Sequence, residues 1–416
     1  MTADRTRPPP GRDRGEALPR AAASPFLRAP EGARAIFLVT LFAVCGPLAG
    51  GLVLFGWRAG VVAALAVTSC AVVETLYYRV TRIPALLGRT HAVLTGVLLA
   101  LTLPAFVPWY VPIVAGAFAI IVGKAVFGGV GHFLWQPALV GRLAVAVLFP
   151  TQLTVASETL YRRQPVLAQS HLLRGDVCAG AYAQDTLAWA GQPAPPDAEA
   201  FLLTPPTRIL RGLTRPREPG FGALAYRRRD LPDARPAALL QLPPVKNLLY
   251  GARPGGIGET SVVLLAVAGL YLIYRNYLKW QLPFAMLGAA WLAAAVGPIF
   301  LAGPNETVET CWLPLLTREG LGVAFTYISY QLLSGEMLLA VLIVSAEMTS
   351  RPITTGGQVL FGAACGAGAM LAQLYLDVPI PCYMAVLAMS TFTPTIDRFW
   401  RPRVFGTRHF EILRGN

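Results

Sequence analysis

Residues 123–150 read GKAVFGGVGHFLWQPALVGRLAVAVLFP. Three glycines, Gly128, Gly129 and Gly131, stand among the polar groups Lys124, His132, Gln136 and Arg142, and only the last dozen residues have the apolar run of a helix. Glycine permits positive φ and close backbone approach. An apolar run this short falls below the ~20 residues that a straight membrane crossing needs. Irregular backbone at membrane depth is tolerated only where it is buried in protein or lines a cavity. The stretch therefore reads as part of a polytopic helical membrane protein with discontinuous helices around an internal site. Its exposed N–H groups and helix N-terminus would suit a phosphate or a ring. The other reading of the same spacing is a re-entrant turn with Lys124 and Arg142 as anchors on the inner side.

Composition points the same way. Of 416 residues, 55% are hydrophobic and 14% charged, against ~25% charged in a typical soluble domain. Mean hydropathy is +0.53. Disorder is excluded, and a lone anchor on a soluble domain is disfavoured because apolar residues recur along most of the chain. The net charge of +13 reads as membrane topology rather than nucleic-acid binding, because basic residues gather in cytoplasmic loops. The isolated cysteines Cys45, Cys70, Cys178, Cys311, Cys365 and Cys382 form no C-x-x-C and no Cys/His ligand spacing. Neither a self-contained iron–sulfur site nor a zinc site is supported.

Ten apolar spans can be read. Five precede a hydrophilic stretch, at 36–57, 60–78, 92–108, 109–127 and 138–150; five follow it, at 260–274, 282–301, 334–346, 357–375 and 378–393. A half-helix from Gly320 is read before the eighth. With the N-terminus inside, twenty of the 35 basic residues fall on the inner side, two on short outer loops and thirteen in the long loop. The charge rule thus places both termini in the cytoplasm. The expected organisation is a basic, Pro-rich cytoplasmic tail at 1–35, a first five-helix half at 36–150, an extracytoplasmic loop at 151–257, a second half at 258–396 and a basic cytoplasmic tail at 397–416. The first 35 residues have no apolar core or cleavage site, so a tail is expected there and not a signal peptide. VLTGVLLALTLP from Val93 resembles LLSGEMLLAVLIV from Leu332, and GKAVFG from Gly123 resembles GQVLFG from Gly357. Five spans per copy would give the copies opposite orientations. The fold class expected is all-α and polytopic, with about ten transmembrane helices in two inverted repeats, broken helices and one long outer loop.

Four further features could carry chemistry. GGIGETS at 255–261 is a tight turn, with Glu259 at a helix start where the dipole favours an anion. Its bland reading is an N-terminal cap. Glu336 and Glu347 frame the eighth span and are candidates for an ion or proton route, because an acid at membrane depth is a functional group by default. Glu74 lies near a span end and reads as reaching the interface; His91 and His132 read as isolated hydrogen-bonding or interfacial groups. LLTPPTRILRG at 202–212 holds two threonines among prolines and arginines, by composition a solvated loop.

Four blocks, in order, resemble one family, RnfD/NqrB. It comprises the D-type membrane component of the Rnf electron-transport complex and its relative, the B-type component of the sodium-pumping NADH:quinone oxidoreductase. The blocks are VLTGVLLALTLP from Val93, GKAVFGGVGHFLWQPALVGR from Gly123, GGIGETSVVLLAVAGLYLIYR from Gly255 and PTIDRFWRPRVFG from Pro394. The resemblance implies ten helices in two inverted halves, within a six-subunit complex of the bacterial inner (plasma) membrane. That complex couples ferredoxin:NAD or NADH:quinone redox chemistry to sodium or proton pumping. The resemblance also implies an FMN linked through its phosphate to a threonine in the loop before the sixth span, and a riboflavin within the bundle. Thr204 is the nearest match for the attachment residue and Thr207 the second; Thr204 keeps a Thr-Pro step but lacks the family's Ser-Gly-Ala before it. Gly128, Gly129, Gly131, Arg142, Glu259, Thr260 and Ser261 would line the flavin region, and Glu347 and Glu336 would serve the ion. Two further departures are Phe133 and Gln136, where the family block has asparagines, and Ser345–Met348, which keeps the acid of A-T-D-P but not its proline. The alternative is a channel or transporter of the same inverted-repeat architecture with no redox cofactor.

Overall fold

The computed structural model describes residues 32–82, 90–129, 132–161, 200–202, 206–211, 245–251, 253, 255–302, 308–311, 321–333, 335–348, 350–376 and 378–400. The candidates Thr204 and Gly131, both chain ends and most of the 151–257 stretch lie outside them.

Each expected span is met by helix. The first half contains α1 (Ala33–Phe55), α2 (Trp57–Thr81), α3 (Thr90–Thr102), α4 (Tyr110–Ile120) and α5 (Pro137–Leu148). After α5 come α6 (Pro150–Glu158), α7 (Pro206–Arg211) and α8 (Val245–Tyr250). The second half contains α9 (Val262–Tyr274), α10 (Gln281–Val296), α11 (Leu321–Leu333), α12 (Met337–Leu342), α13 (Thr355–Tyr375) and α14 (Pro381–Phe399). Two short antiparallel pairs complete the described residues: β1 (Thr159–Tyr161) with β2 (Ala200–Leu202), and β3 (Ile299–Ala302) with β4 (Val308–Cys311).

The breaks fall where the residues require them. Gly56, at φ 70°, is the one-residue link between α1 and α2. Gly335, at φ 96°, separates α11 from α12, so the eighth span is a broken helix preceded by a half-helix. The chain turns by 105° between α5 and α6 at Pro150, whose ring cannot continue a helix from the preceding residue. At its C-terminal end α4 widens into a π turn over Ile121–Ala125, a distortion often found at functional sites. By length and composition α1, α2 and α13 can each cross a membrane, and α5 with α6 makes a fourth if counted as one bent span. Exposed apolar side chains such as Phe42, Val72, Leu76, Leu270 and Phe284 present the kind of surface that lipid or a partner helix covers.

Packing repeats between the halves. In the first, α2 packs on α3 and α4, and α4 on α5; in the second, α10 packs on α11, α12 and α13, and α13 on α14. The halves meet through α1 on α9 and α5 on α14. Glycine sets the closest crossings, as is usual where membrane helices pack without a hydrophobic driving force. A Cβ on Gly366 would stand 2.0 Å from the Met286 carbonyl oxygen of α10, and one on Gly141 2.3 Å from that of Ala115 in α4.

Candidate functional site: two buried charged centres

The first centre lies at the N-terminal end of α3. Lys124, in the π turn, is only 2% exposed, and its ammonium donates to the carboxylate of Glu74 on α2. Its Nζ is also 3.1 Å from His91 Nδ1, at the start of α3. His91 Nε2 is 3.2 Å from Glu347 Oε1, and Gln136 Nε2 donates to Glu347 Oε2 at 3.1 Å. Glu74, Lys124, His91 and Glu347 therefore form one unbroken polar chain, with Gln136 closing its far end. Phe37 and Phe133 pack on the imidazole, with ring centroids at 5.0 and 5.5 Å. The family's asparagine position at Phe133 is here an apolar wall to the histidine.

These positions correct four expectations. Lys124 is not an inner-side anchor and Glu74 does not reach the interface, because each is buried against the other. Arg142 is not an anchor either: it is buried in α5 and donates through Nε to the Thr102 carbonyl at 2.9 Å. His91 is not isolated. A buried ion pair of this kind persists only when both charges are matched. The sequence signal for it was thin: three lysines in 416 residues, one of them inside an apolar stretch. Its partner lies fifty positions away, and no local pattern names it.

The second centre lies at the C-terminal end of α3. Residues 256–258 run antiparallel to that end, with Ile257 N–H donating to Leu103 O and Gly258 N–H to Leu101 O. This places Glu259 inside the protein. Its Oε2 accepts from Gly256 N–H at 3.0 Å and its Oε1 from the Tyr383 hydroxyl of α14 at 2.6 Å. Arg253 ties the same turn down, donating to the Thr260 and Glu259 carbonyls. Ser261 is the cap residue of α9, accepting from Leu264 N–H, whereas Glu259 does no capping. Glu336, beside the Gly335 break, accepts from the Cys382 backbone N–H and faces Glu259, Arg142 and Arg211. Thr207, on α7, abuts that break: a Cβ on Gly335 would stand 3.2 Å from its methyl group.

The structure thus brings Arg142, Glu259, Thr260, Ser261, Glu336 and Thr207 together at one end of α3. Glu347 is at the other end. Gly128 and Gly129, at φ 94° and 103°, sit beyond the Lys124 π turn on that same side, Gly129 donating to the Lys124 carbonyl. From His91 to Thr102 the helix rises roughly 16 Å, about half the ~30 Å of a bilayer core. In each centre a carboxylate faces the start of a helix that opens with proline: Glu347 at Gln136–Pro137 of α5, and Glu336 at Pro381–Cys382 of α14. Helix N-termini favour anions. Among the described residues no group of three or more His, Cys, Asp or Glu side chains could hold a metal ion.

The fold and site define a multi-helix membrane protein with broken helices and two buried charged centres. The chain belongs to the NQR2, RnfD, RnfE family, whose pattern it matches over residues 20–406. It is 29% identical over 386 residues to the D component of the ion-translocating oxidoreductase complex of Halorhodospira halophila, covering 92% of this chain and 94% of that protein. It is 27% identical to the D component of the proton-translocating ferredoxin:NAD(+) oxidoreductase complex of Clostridium ljungdahlii, over 93% of this chain and 96% of that one. It is 26% identical to the Na(+)-translocating counterpart of Acetobacterium woodii, over 92% and 94%.

Proposed function

We propose that this chain is a flavin-carrying membrane subunit of an ion-translocating oxidoreductase complex, passing electrons between partner subunits while an ion crosses through its buried charged centres. The observation that carries the reading is the pair of centres at opposite ends of α3, each with a carboxylate at a helix N-terminus, in a chain whose relatives are named for ion translocation. The matched packing of the two halves supports ten helices in two inverted five-helix repeats. Glu347 and Glu336 are the ion-handling carboxylates. The complex is read as six-subunit and Rnf-like, in the bacterial inner membrane, with both termini cytoplasmic and the 151–257 loop outside.

The residues present fit the phosphate end of a flavin at the second centre. Thr207 offers a hydroxyl beside the Gly335 break, Arg211 follows on the next turn of α7, and Arg142 has a buried Nη1 with no hydrogen-bond partner among the described residues. Guanidinium groups suit phosphate oxygens. Arg142 and Arg211 would hold the phosphate of an FMN linked to Thr204 or Thr207, and a riboflavin would lie deeper in the bundle. When bound, a flavin supplies the electron-transfer chemistry; the protein's share is position, exclusion of water and charge balance.

In-gel flavin fluorescence of the denatured chain, co-expressed with a flavin transferase, tests this. The expected result is a fluorescent band that disappears in one of Thr204→Ala and Thr207→Ala and survives in the other. No band in any lane, with the transferase active on another substrate, removes the covalent flavin. A native extract also free of flavin would leave the cofactor-free transporter.

A further inference from the structure

We infer that the first centre is a proton wire, and that the ion handled by the polar chain Glu74–Lys124–His91–Glu347 is the proton and not sodium. This rests on the ion-translocating reading and names its substrate.

A dehydrated hard cation needs several oxygen ligands around one empty point. Here that point is filled. The Lys124 ammonium lies against Glu74 and within 3.1 Å of His91 Nδ1, and it faces Glu347 as well. It is a fixed cation where a mobile one would have to sit. The next link is a ring nitrogen, a poor ligand for sodium and a good carrier of protons. Other titratable groups nearby are Cys70 and Tyr78, which face Glu74 from the same helix. Tyr277 lines the space beyond Glu347. From α1 come Ile36, Phe37 and Thr40, which carry no titratable group.

The hydrogen bonds have a direction. With Lys124 protonated, His91 Nδ1 accepts, so the imidazole proton is on Nε2 and is donated to Glu347. A proton arriving on the Glu74 carboxylate passes to Lys124 as Lys124 gives one to Nδ1, while Nε2 gives its own to Glu347. One proton enters at Glu74, one leaves on Glu347, and the lysine is an ammonium before and after. The imidazole ends with its proton on Nδ1 and resets by exchanging tautomers. Glu347 borders a cavity of ≈ 30 Å³ lined by Phe37, Thr40, Leu98, Tyr277 and Met348. That space takes one or two waters and no hydrated cation, and Met348 is half exposed at its side.

The test uses the whole complex, purified through this chain and reconstituted in vesicles with dyes for membrane potential and pH. Electron donor is added in sodium-free and in sodium-replete buffer. The expected result is equal transport in both, a pH change that matches it, and slowing in D2O. His91→Gln, which keeps a hydrogen-bonding side chain but carries no mobile proton, should lower transport about 100-fold with flavin content unchanged. Transport that depends on added sodium, with sodium accumulating in the vesicles, overturns the proton assignment and leaves the ion-translocating reading standing. Electron flow with no movement of either ion overturns both.

Discussion

Replacing Lys124 by methionine is expected to cost the fold about 3–5 kcal/mol, the usual penalty for orphaning one member of a buried ion pair. Glu74 would keep its charge within a nearly closed environment, since the side chains of Lys124 and Glu74 are only 2% and 5% exposed. Its second oxygen already lacks a partner among the described residues, and the Tyr78 hydroxyl that faces the carboxylate brings no positive charge to replace the ammonium. The double variant Glu74→Leu/Lys124→Met should recover most of the loss, because an apolar pair of similar volume is often as stable as the ion pair it replaces. Heating the detergent-solubilised proteins and following the monodisperse fraction checks this. The expected order is wild type and double variant together, with Lys124→Met well below. A single variant as stable as wild type would mean that Lys124 is not in the buried pair described.

The second large effect concerns Glu347. Glu347→Gln keeps the length of the side chain and an oxygen for His91, but removes the charge and the proton-accepting oxygen. Ion transport by the complete complex should fall about 100-fold, while electron input and flavin content stay near wild type. Glu347→Asp should restore part of the transport, since the acid remains and only its reach to His91 and Gln136 changes. A loss of flavin in Glu347→Gln would place the residue in cofactor binding instead. The two effects are read by different measurements: Lys124→Met removes both the ion pair and a link of the proton wire and lowers stability, whereas Glu347→Gln leaves the fold intact and lowers transport.

Much of the architecture was legible in the residues. The apolar spans are met by helices, and two of the short spans read as discontinuous, the fifth and the eighth, are the ones the structure breaks, at Pro150 and Gly335, where proline and glycine act on the backbone directly. Positive φ at Gly128 and Gly129 was likewise local and readable. The charged centres were not. Glu74 with Lys124, His91 with Glu347 and Glu259 with Tyr383 are contacts across 50, 256 and 124 positions, made by helix packing that no short window encodes. A cation near a span end reads as an anchor until the packing buries it, as with Lys124 and Arg142. The turn at 255–261 misled in the opposite way: its local pattern suggested Glu259 as a cap, whereas pairing with the end of α3 turns that carboxylate inward and leaves the capping to Ser261.

The most direct test is electron-driven ion transport. Vesicles containing the complete complex are charged by adding an electron donor, and compared with vesicles of the complex assembled without this chain and with vesicles of this chain alone. A membrane potential is expected to form only with donor and only in the complete complex. Uptake by the chain alone, with no donor present, would contradict it and identify a transporter that works without redox chemistry.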